Sequence, residues 1–583
     1  MDLSAWTICL CLAVACLSAT AGAEELVYRD AAIKKLVAEA PGLLDKFDAE
    51  TGRFGTGIWI VQDQNAMYPL AAVYATQAGG NPHYKSEDLL EVIMKAGDAL
   101  IEDADENGQW EFRKKDGSTW GMIHMPWTYS RWVRAFSLIK DDMPADRREK
   151  WEKALTLGYS GIAKGLANGH VHNIPTHHAM GLYIAGKALD RPDWREAAAT
   201  FMKLAVNAQR EGGYWSEGAG PVVSYNFVYT DALGTYYAAS DDESVLPAID
   251  KAAVFHFRFT YPNGHSVETI DERNPYYKRV PLGNVGFSFT PEGRAYLNRQ
   301  WAAYGTDLAG ISADYLASLI LYGQEGAAAG VPEAQSGDLF VLIEGGRERA
   351  ATFRKGPWFV CLSAYTAPIP KSRWLQDRQN LVSIYHDARG VILGGGNTKL
   401  QPGWSTFTVG DVALLKHTPG DESPDFLPKG ELYHVPAEAA LVKEPVVGLD
   451  LTYGNETCRV RVEPKDDATL DYHIEATAGS GLPVAAHVTL LPHLGERIET
   501  GGGKSAVLRE EPVEWSSEDV AGAFTYAGCR FHVPRSTSLH WPAMGHNPYA
   551  KDGHAGASSH RIELRIPFDQ EHPKHTVTVE ILQ

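Results

Sequence analysis

One segment of the sequence, Asn168–Leu189, groups an amide and several imidazoles at the predicted start of a helix. It contains Asn173 and four histidines, which are His170, His172, His177 and His178. Pro175 suits the first turn of a helix, and the residues after it recur at helical spacing. A helix N-terminus favours anions because its free N–H groups and its dipole face outward. A tyrosine-rich segment, Tyr225–Tyr237, follows. Amide, imidazole and phenol groups together can hold a carboxylate and move a proton.

The histidines of this segment allow two other interpretations. Imidazoles at helix starts often serve only as caps or as partners of a buried carbonyl group. Two histidines separated by one residue can also bind a metal ion such as zinc. The sequence alone leaves catalysis, structure and metal binding open for these four side chains.

Charge and length exclude some classes of function. The chain has 583 residues and a formal net charge of −19, so a general nucleic-acid-binding protein, which needs a basic footprint, is excluded. An acidic substrate remains compatible with this charge, because salt screens fields over about 8–10 Å and a local basic cleft can override the net sign. The length permits two or more domains with sizeable cores.

The first 23 residues resemble a secretory signal. Their apolar run, Ala5–Ala15, is too short to cross a bilayer, and Ala21-Gly22-Ala23 is a small-residue cleavage site. No later segment is a plausible membrane span. The sequence therefore predicts a soluble protein that is secreted or periplasmic.

Three cysteines remain after this predicted signal: Cys361, Cys458 and Cys529. An odd number leaves at least one free thiol or an intermolecular bond. Cys458 and Cys529 lie in predicted strands and are candidates for a disulfide in an oxidising compartment.

The hydrophobic period changes along the chain and predicts an α+β multidomain protein. Amphipathic helices are predicted up to about Gly323, at Ala31–Phe47, Trp59–Thr76, Glu87–Ile101, Thr128–Ile139, Asp146–Ala163, His177–Leu189, Trp194–Arg210, Phe227–Ala239 and Leu246–Phe257. Period-two strands are predicted after about Gly330, at Asp338–Ile343, Trp358–Ala364, Leu381–Tyr385, Val391–Leu393, Thr457–Val462, Asp471–Thr477, Val484–Leu491, Thr525–Val533, Arg561–Ile566 and Thr576–Leu582. We expect an N-terminal α/α toroid or incomplete barrel over residues 24–330, followed by a C-terminal antiparallel β-sandwich over residues 331–583.

This order resembles secreted polysaccharide lyases of the heparinase II/III and alginate-lyase type. Four places carry the resemblance: Asn173 with its histidines, the loop from Glu217 to Tyr225 followed by Tyr229, the segment Tyr261–Arg273, and the predicted strand Asn380–Gly390. The third looks like the loop that closes the toroid in those enzymes. The fourth looks like the strand that brings a histidine, here His386, into the cleft.

The resemblance implies β-elimination on a uronic-acid polymer. The enzyme must neutralise the substrate carboxylate, because removal of the neighbouring proton adds negative charge beside it. Asn173 with His177 or His178 suits this task. Tyr225, or Tyr229 as second choice, is the candidate base, and His386 is the candidate partner acid or base. Each of these side chains has a structural alternative, as a core tyrosine or as a buried imidazole.

Other side chains are candidates for contacts with the sugar. Arg113, Lys114 and Lys115 lie between Trp110 and Trp120, and Trp127 follows. Aromatic faces and cations suit an anionic glycan. Arg373 and Arg378 match a carboxylate with their guanidinium forks, and Glu217 is a candidate for substrate binding or loop positioning. Core packing or a solvated surface explains each of them equally well.

Two competing hypotheses remain open. A glycoside hydrolase on the same scaffold would need a carboxylate pair, for which Glu217, Asp231, Glu268 and Asp271 are the candidates. A non-catalytic glycan-binding protein would use the toroid as a recognition surface. The expected partner in every case is an acidic polysaccharide or oligosaccharide, with no nucleic acid and no membrane span. No cofactor is required, and a structural zinc or calcium ion stays an alternative.

Overall fold

The structure is a computed structural model and describes residues 24–55, 63–113, 119–274, 280–304, 308–329 and 338–582. The predicted export signal, Lys114, Lys115 and the predicted helix start at Trp59 lie outside these ranges. The predicted domain boundary at residues 330 and 331 also falls outside them, and this boundary stays a prediction.

The first part of the described chain is helical and forms an α/α toroid, as predicted. Its helices are α1 (Arg29–Leu44), α2 (Met67–Ala75), α3 (Glu87–Asp103), α4 (Pro126–Ile139), α5 (Ala145–Leu166), α6 (Asn173–Ala188), α7 (Pro192–Asn207), α8 (Val223–Ser240), α9 (Leu246–Arg258), α10 (Pro291–Tyr304) and α11 (Ala313–Tyr322). Helices α2, α4, α6, α8 and α11 contact one another in that order, and α11 returns to α2. They form an inner ring, and the intervening helices pack outside it.

Close packing in the inner ring comes from small residues. In α8, a Cβ atom on Gly234 would lie 2.2 Å from the Cα atom of Gly286. Only glycine therefore permits the chain after α9 to approach this helix so closely.

Short strands accompany the helices. They are β1 (Glu25–Leu26), which pairs with β4 (Gly326–Ala327), and a hairpin of β2 (Trp110–Arg113) and β3 (Thr119–Ile123) immediately before α4. The sequence analysis predicted no helix or strand where this hairpin stands.

The remaining strands form three antiparallel sheets. A five-stranded meander contains β5 (Leu339–Glu344), β6 (Arg347–Lys355), β7 (Trp358–Ser363), β8 (Val382–His386) and β9 (Gly390–Leu393). A six-stranded sheet has the order β11 (Leu432–Tyr433), β10 (Phe407–Gly410), β16 (Val484–Leu490), β23 (Arg561–Phe568), β22 (Ser538–Ala543) and β19 (Val513–Trp515). A nine-stranded sheet has the order β12 (Glu438–Val442), β13 (Gly448–Tyr453), β14 (Glu456–Pro464), β15 (Thr469–Ala476), β24 (Lys574–Ile581), β21 (Cys529–His532), β20 (Ala523–Tyr526), β17 (Arg497–Thr500) and β18 (Ser505–Val507). A one-turn helix, α12 (Ser517–Val520), precedes β20.

The five-stranded sheet lies between the toroid and the sandwich. Along β7, Phe359 and Cys361 join the helical core, whereas Trp358, Val360 and Leu362 join the core of the two larger sheets. Side chains alternate between the two faces of a strand, so both faces of this sheet are buried. This is why β7 is a continuous apolar run, and it makes the sheet the rigid connection between the two halves.

Most predicted elements are present, with shifts at their ends. The sequence missed α10, α11 and several sandwich strands, and it merged β20 and β21 into one strand. The candidate disulfide is wrong, since Cys458 and Cys529 are both free thiols buried in separate strands. Within the described residues, no helix is long and apolar enough to cross a membrane.

Candidate functional site

The N-terminal ends of α6 and α8 open at the same end of the toroid, and a carboxylate joins them. Glu217, on the loop before α8, accepts a hydrogen bond of 2.9 Å from Nδ2 of Asn173, the first residue of α6. Its other oxygen accepts a hydrogen bond of 2.8 Å from the Tyr229 hydroxyl. The Tyr229 ring is buried and stacks on Trp215 at 4.8 Å. Glu217 therefore fixes the orientation of the Asn173 amide.

Tyr225 lies in the first turn of α8 beneath a guanidinium group. The Cζ atom of Arg273 is 4.8 Å from the centre of the Tyr225 ring, and the phenol hydrogen-bonds to Tyr549. Burial raises the pKa of Tyr225 above its usual value, and the positive charge of Arg273 opposes this rise. The negative charge of Glu217 also acts on Tyr225, so the phenol belongs to the same cluster as Asn173.

A buried carboxylate holds Arg273 and Tyr225 in place. One oxygen of Asp271 accepts the backbone N–H of Val223, the first residue of α8, at 2.8 Å. The other accepts the backbone N–H groups of Arg273 at 2.7 Å and of Asn274 at 2.8 Å. Asp271 thus replaces the missing side-chain cap of α8 and ties the Arg273 loop to the turn that carries Tyr225.

Aromatic side chains from both halves of the protein form one wall. Trp120, on the β2–β3 hairpin, is 51% exposed, stacks on Phe112 at 4.8 Å and lies 6.1 Å from Trp374. Trp374, from the loop between β7 and β8, contacts Tyr549 at 5.6 Å and Arg273 at 5.8 Å. The exposed indole of Trp120 and the half-buried indole of Trp374, which lie beside a cation, suit a sugar ring with an acidic group.

The histidines predicted at this site, His177 and His178, lie elsewhere. The prediction started the helix at His177, whereas α6 starts at Asn173, so both histidines fall in its second turn. Nε2 of His177 lies 2.8 Å from the Ser130 hydroxyl, and Nε2 of His178 lies 2.8 Å from the carbonyl oxygen of His124. Burial lowers the pKa of His177 strongly and that of His178 to about 4, so both are neutral.

A different histidine stands at the site. His172, the N-cap residue of α6, precedes Asn173 and is half-buried. Burial lowers its pKa, and the negative charge of Glu217 opposes this effect. The imidazole near the Asn173–Glu217 pair is therefore that of His172. Trp127, predicted as a sugar contact, instead packs edge-on against the buried His177 ring at 4.5 Å.

The structure does not bring His386 to the cluster. Its Nε2 atom lies 3.0 Å from the carbonyl oxygen of Asp467, and its Nδ1 accepts the backbone N–H of Ala388 at 3.1 Å. Its ring packs against Trp358 at 4.6 Å. Both ring nitrogens have backbone hydrogen-bond partners, so this geometry does not support a catalytic role for His386.

The two predicted arginines have different surroundings. Arg378 is buried, donates to the Ile270 carbonyl oxygen at 2.5 Å and lies 3.5 Å from the carboxylate of Glu272. It therefore joins the β-domain to the loop that precedes Arg273, and it is not open to a ligand. Arg373 is half-buried and lies over the Trp374 ring at 4.7 Å, so it stands at the aromatic wall.

The four-histidine metal site is not formed. His177 and His178 bind separate partners, and His170 and His172 contact each other ring to ring at 5.1 Å. Among the described residues, the group with metal-ligand spacing is Glu463, Asp471 and His473, in β14 and β15 of the sandwich. The Lys465 ammonium lies 2.7 Å from Glu463 and 3.6 Å from Asp471 there, so a cation of the protein already offsets part of the charge of this group.

The four carboxylates proposed for a hydrolase do not form an open pair. Asp231, Glu268 and Asp271 are buried, and Glu217 alone among the four is partly exposed. Glu268 accepts bonds from Tyr261 and from the backbone of Gly395. Hydrolysis needs two carboxylates facing one glycosidic bond, and these four side chains do not supply them.

Comparisons with known proteins give structural neighbours only. No family model matches the sequence, and no curated protein matches it either. Similar solved structures include a chondroitin AC lyase from Streptomyces coelicolor A3 in complex with chondroitin sulphate (12% identity, 94% of this chain and 79% of that chain, TM-score 0.48). They also include a heparinase III (13%, 94% and 84%, 0.47) and a heparan sulfate lyase from Pedobacter heparinus (12%, 95% and 89%, 0.43). At these TM-scores the similarity carries no argument about activity, which must come from the site itself.

Proposed function

We propose that this protein is an exported polysaccharide lyase that cleaves a uronic-acid polymer by β-elimination. The observation that carries the proposal is the Arg273 guanidinium, 4.8 Å from the ring of Tyr225, in a cluster that also contains Asn173. A cation beside a phenol favours the phenolate form, which can act as a base. An oriented amide can donate a hydrogen bond to an oxyanion.

The reaction needs one proton to move from carbon to oxygen. The phenolate of Tyr225 takes the proton from C5 of the uronate, the electron pair forms the C4–C5 double bond, and the C4–O4 bond breaks. The same hydroxyl then returns the proton to O4 of the departing sugar, so that atoms and charge balance. This sequence requires the C5 hydrogen and O4 on one face of the ring, because one hydroxyl serves both.

The substrate carboxylate must accept charge while C5 loses its proton. Nδ2 of Asn173 has two hydrogens, of which one is bound to Glu217, so the other is oriented for the carboxylate. The His172 imidazole and the Arg273 guanidinium stand beside it as further donors. Donors fixed in advance stabilise the developing oxyanion without a cost of reorganisation during the reaction.

The ionisation of Tyr225 sets the pH dependence. Burial raises the pKa of Tyr225, and Arg273 lowers it from that raised value. The phenol is protonated at neutral pH, and the fraction in the active phenolate form grows as the pH rises. We therefore expect kcat/KM to increase with pH above neutrality.

The aromatic wall is the proposed binding surface for the substrate. Trp120 and Trp374 offer faces on which sugar rings can stack, and Arg373 and Arg273 offer cations at the same wall. An acidic glycan that lies along it would place one uronate over Tyr225. Export rests on the signal-like sequence of residues 1–23.

The test is a lyase assay with the purified mature chain. Heparan sulfate, chondroitin sulfate, hyaluronan, alginate and glucuronan are supplied separately, and ultraviolet absorbance of the unsaturated product is followed together with the release of reducing ends. A rise of both signals on a uronate polymer supports the lyase. Release of reducing ends without a rise in absorbance would establish a hydrolase. If neither signal rises and the protein still binds a glycan measurably, it is a binding protein.

A further inference from the structure

A cavity lies between the outer helices of the toroid and the five-stranded sheet. It has a volume of about 490 Å³ and is bounded by α9, α10, β6 and β7. It shares no lining residue with the cluster around Asn173 and Tyr225. Ligand sites in proteins have volumes of about 300–1,000 Å³, so this cavity is large enough for a small molecule.

Three arginines line this cavity, and one of them has no carboxylate partner among the described residues. Arg258 pairs with Asp338 at 2.7 Å, and Arg354 pairs with Asp387. Arg299 donates instead to the carbonyl oxygens of Phe257 and Thr260, each at 2.8 Å. These carbonyls at the end of α9 offset only about half a charge. An anion in the cavity would therefore find one guanidinium that is not neutralised by the described residues.

The positive charges of Arg354 and Arg258 repel that of Arg299, and a bound anion would reduce this repulsion. Burial first, and then the charges of Arg354 and Arg258, lower the pKa of Arg299 to about 10. The other lining carboxylate, Glu24, is exposed and forms no ion pair within the described part of the chain. The three arginines are thus matched in number by Asp338, Asp387 and Glu24, but among the described residues no carboxylate pairs with Arg299.

A polar donor and apolar surfaces complete the cavity. Nδ2 of Asn298, the residue before Arg299, is buried and has no hydrogen-bond partner in the part of the chain that the structure describes. Such a group costs about 1–3 kcal/mol unless a ligand or water satisfies it. Ala295 and Ala302 lie one turn before and after on the same face of α10 and keep the space open, and Phe353 and Phe359 provide apolar faces.

We infer that this cavity is a second binding site, specific for an acidic sugar unit whose carboxylate binds Arg299 and Asn298 and whose ring lies against the phenylalanines. A free uronate and the terminal unit of an acidic chain share this chemistry. The site is separate from the proposed catalytic cluster and does not depend on the proposed lyase activity.

The test is calorimetric binding of D-glucuronate to the full-length protein, in an Arg273→Gln background that removes one carboxylate-binding cation from the proposed catalytic cluster. Asn298→Asp places a carboxylate beside Arg299 and removes the free donor, and Asn207→Asp makes the same change at the exposed end of α7 as a control. We expect glucuronate to bind the background and the Asn207→Asp protein equally. We expect the affinity to fall at least tenfold in Asn298→Asp, and glucose not to bind.

Each remaining outcome decides the proposal. Any one of four results would overturn it. Asn298→Asp binds glucuronate unchanged, glucose binds as well as glucuronate, inorganic sulfate binds as well as glucuronate, or the background protein does not bind glucuronate. If Asn298→Asp does not fold, Ala302→Leu, which narrows the cavity from an exposed position, must give the same loss. Binding of a hyaluronan tetrasaccharide as well as glucuronate assigns the site to a chain end, and binding of glucuronate alone assigns it to a free sugar.

Discussion

Arg273→Gln tests whether a cation activates Tyr225. The guanidinium lies 4.8 Å from the phenol ring. Two unit charges at this distance interact by about 3.5 kcal/mol at an effective dielectric constant of about 20, and by about 0.9 kcal/mol in bulk water. At 1.36 kcal/mol per pKa unit, these limits correspond to about 2.5 and about 0.6 units. Arg273 lowers the pKa of Tyr225, so its removal raises that pKa.

The assay is the pH profile of kcat/KM on the polymer that the wild type cleaves. The ascending limb should move to higher pH by about 0.6–2.5 units in Arg273→Gln, so that activity below the limb falls between about fourfold and about 300-fold. Arg273→Lys keeps the charge and should move the limb less. The matched control is Arg191→Gln, which removes an exposed guanidinium that lies 4.3 Å from the Trp194 ring and should change nothing.

One result would refute this reasoning. If Arg273→Gln lowers kcat/KM at every pH by the same factor and leaves the limb where it is, the guanidinium does not act on the ionisation of the base. Its contribution would then be confined to binding of the substrate carboxylate.

Three further predictions concern the same cluster. Tyr225→Phe should lower kcat by about 10²–10⁴-fold while circular dichroism and the thermal midpoint stay close to wild type; a retained kcat would exclude Tyr225 as the base. Trp374→Ala should raise KM about 2–12-fold, as expected for the loss of about 0.5–1.5 kcal/mol of aromatic contact, with kcat preserved, and a fall in kcat alone would contradict a role in binding. Chelation should leave turnover unchanged, because no step uses a metal ion; loss of activity that zinc or calcium restores would overturn this.

The fold was predictable wherever one face of an element is buried. The helices α3 and α9 and the strand β15 show their periods in the sequence. Helix α10 was missed because its apolar residues do not form a clear stripe, and β7 gives no alternation because both of its faces are buried. Element ends were less accurate, and the start of α6 at Asn173 had the largest effect on the site.

The candidate site was predictable only in part. The order of Asn173 at the start of α6, Glu217 on the loop before α8 and Tyr225 in the first turn of α8 identified the core of the cluster. His172 was passed over for His177 and His178 because the predicted helix began one turn too late. Trp374 and Tyr549 come from the sheet half, and only the packing of the two halves brings them to Tyr225.

Within that cluster, the role of Arg273 could not be read from the sequence either. The residue stands in the segment Tyr261–Arg273, but its position over Tyr225 depends on the bonds of Asp271 to two separate chain segments. When long-range hydrogen bonds position a side chain, the sequence around that residue shows no periodic pattern that would predict its position. Tertiary contacts of this kind set the limit of the prediction.

Mass spectrometry of the cleavage products tests the central claim most directly. Elimination leaves a sugar with a C4–C5 double bond, which is lighter by one water molecule than the product of hydrolysis. We predict that the wild type releases this lighter product from at least one uronate polymer and that Tyr225→Phe releases none. Products of hydrolytic mass from the wild type, or the lighter product from Tyr225→Phe at the wild-type rate, would contradict the account.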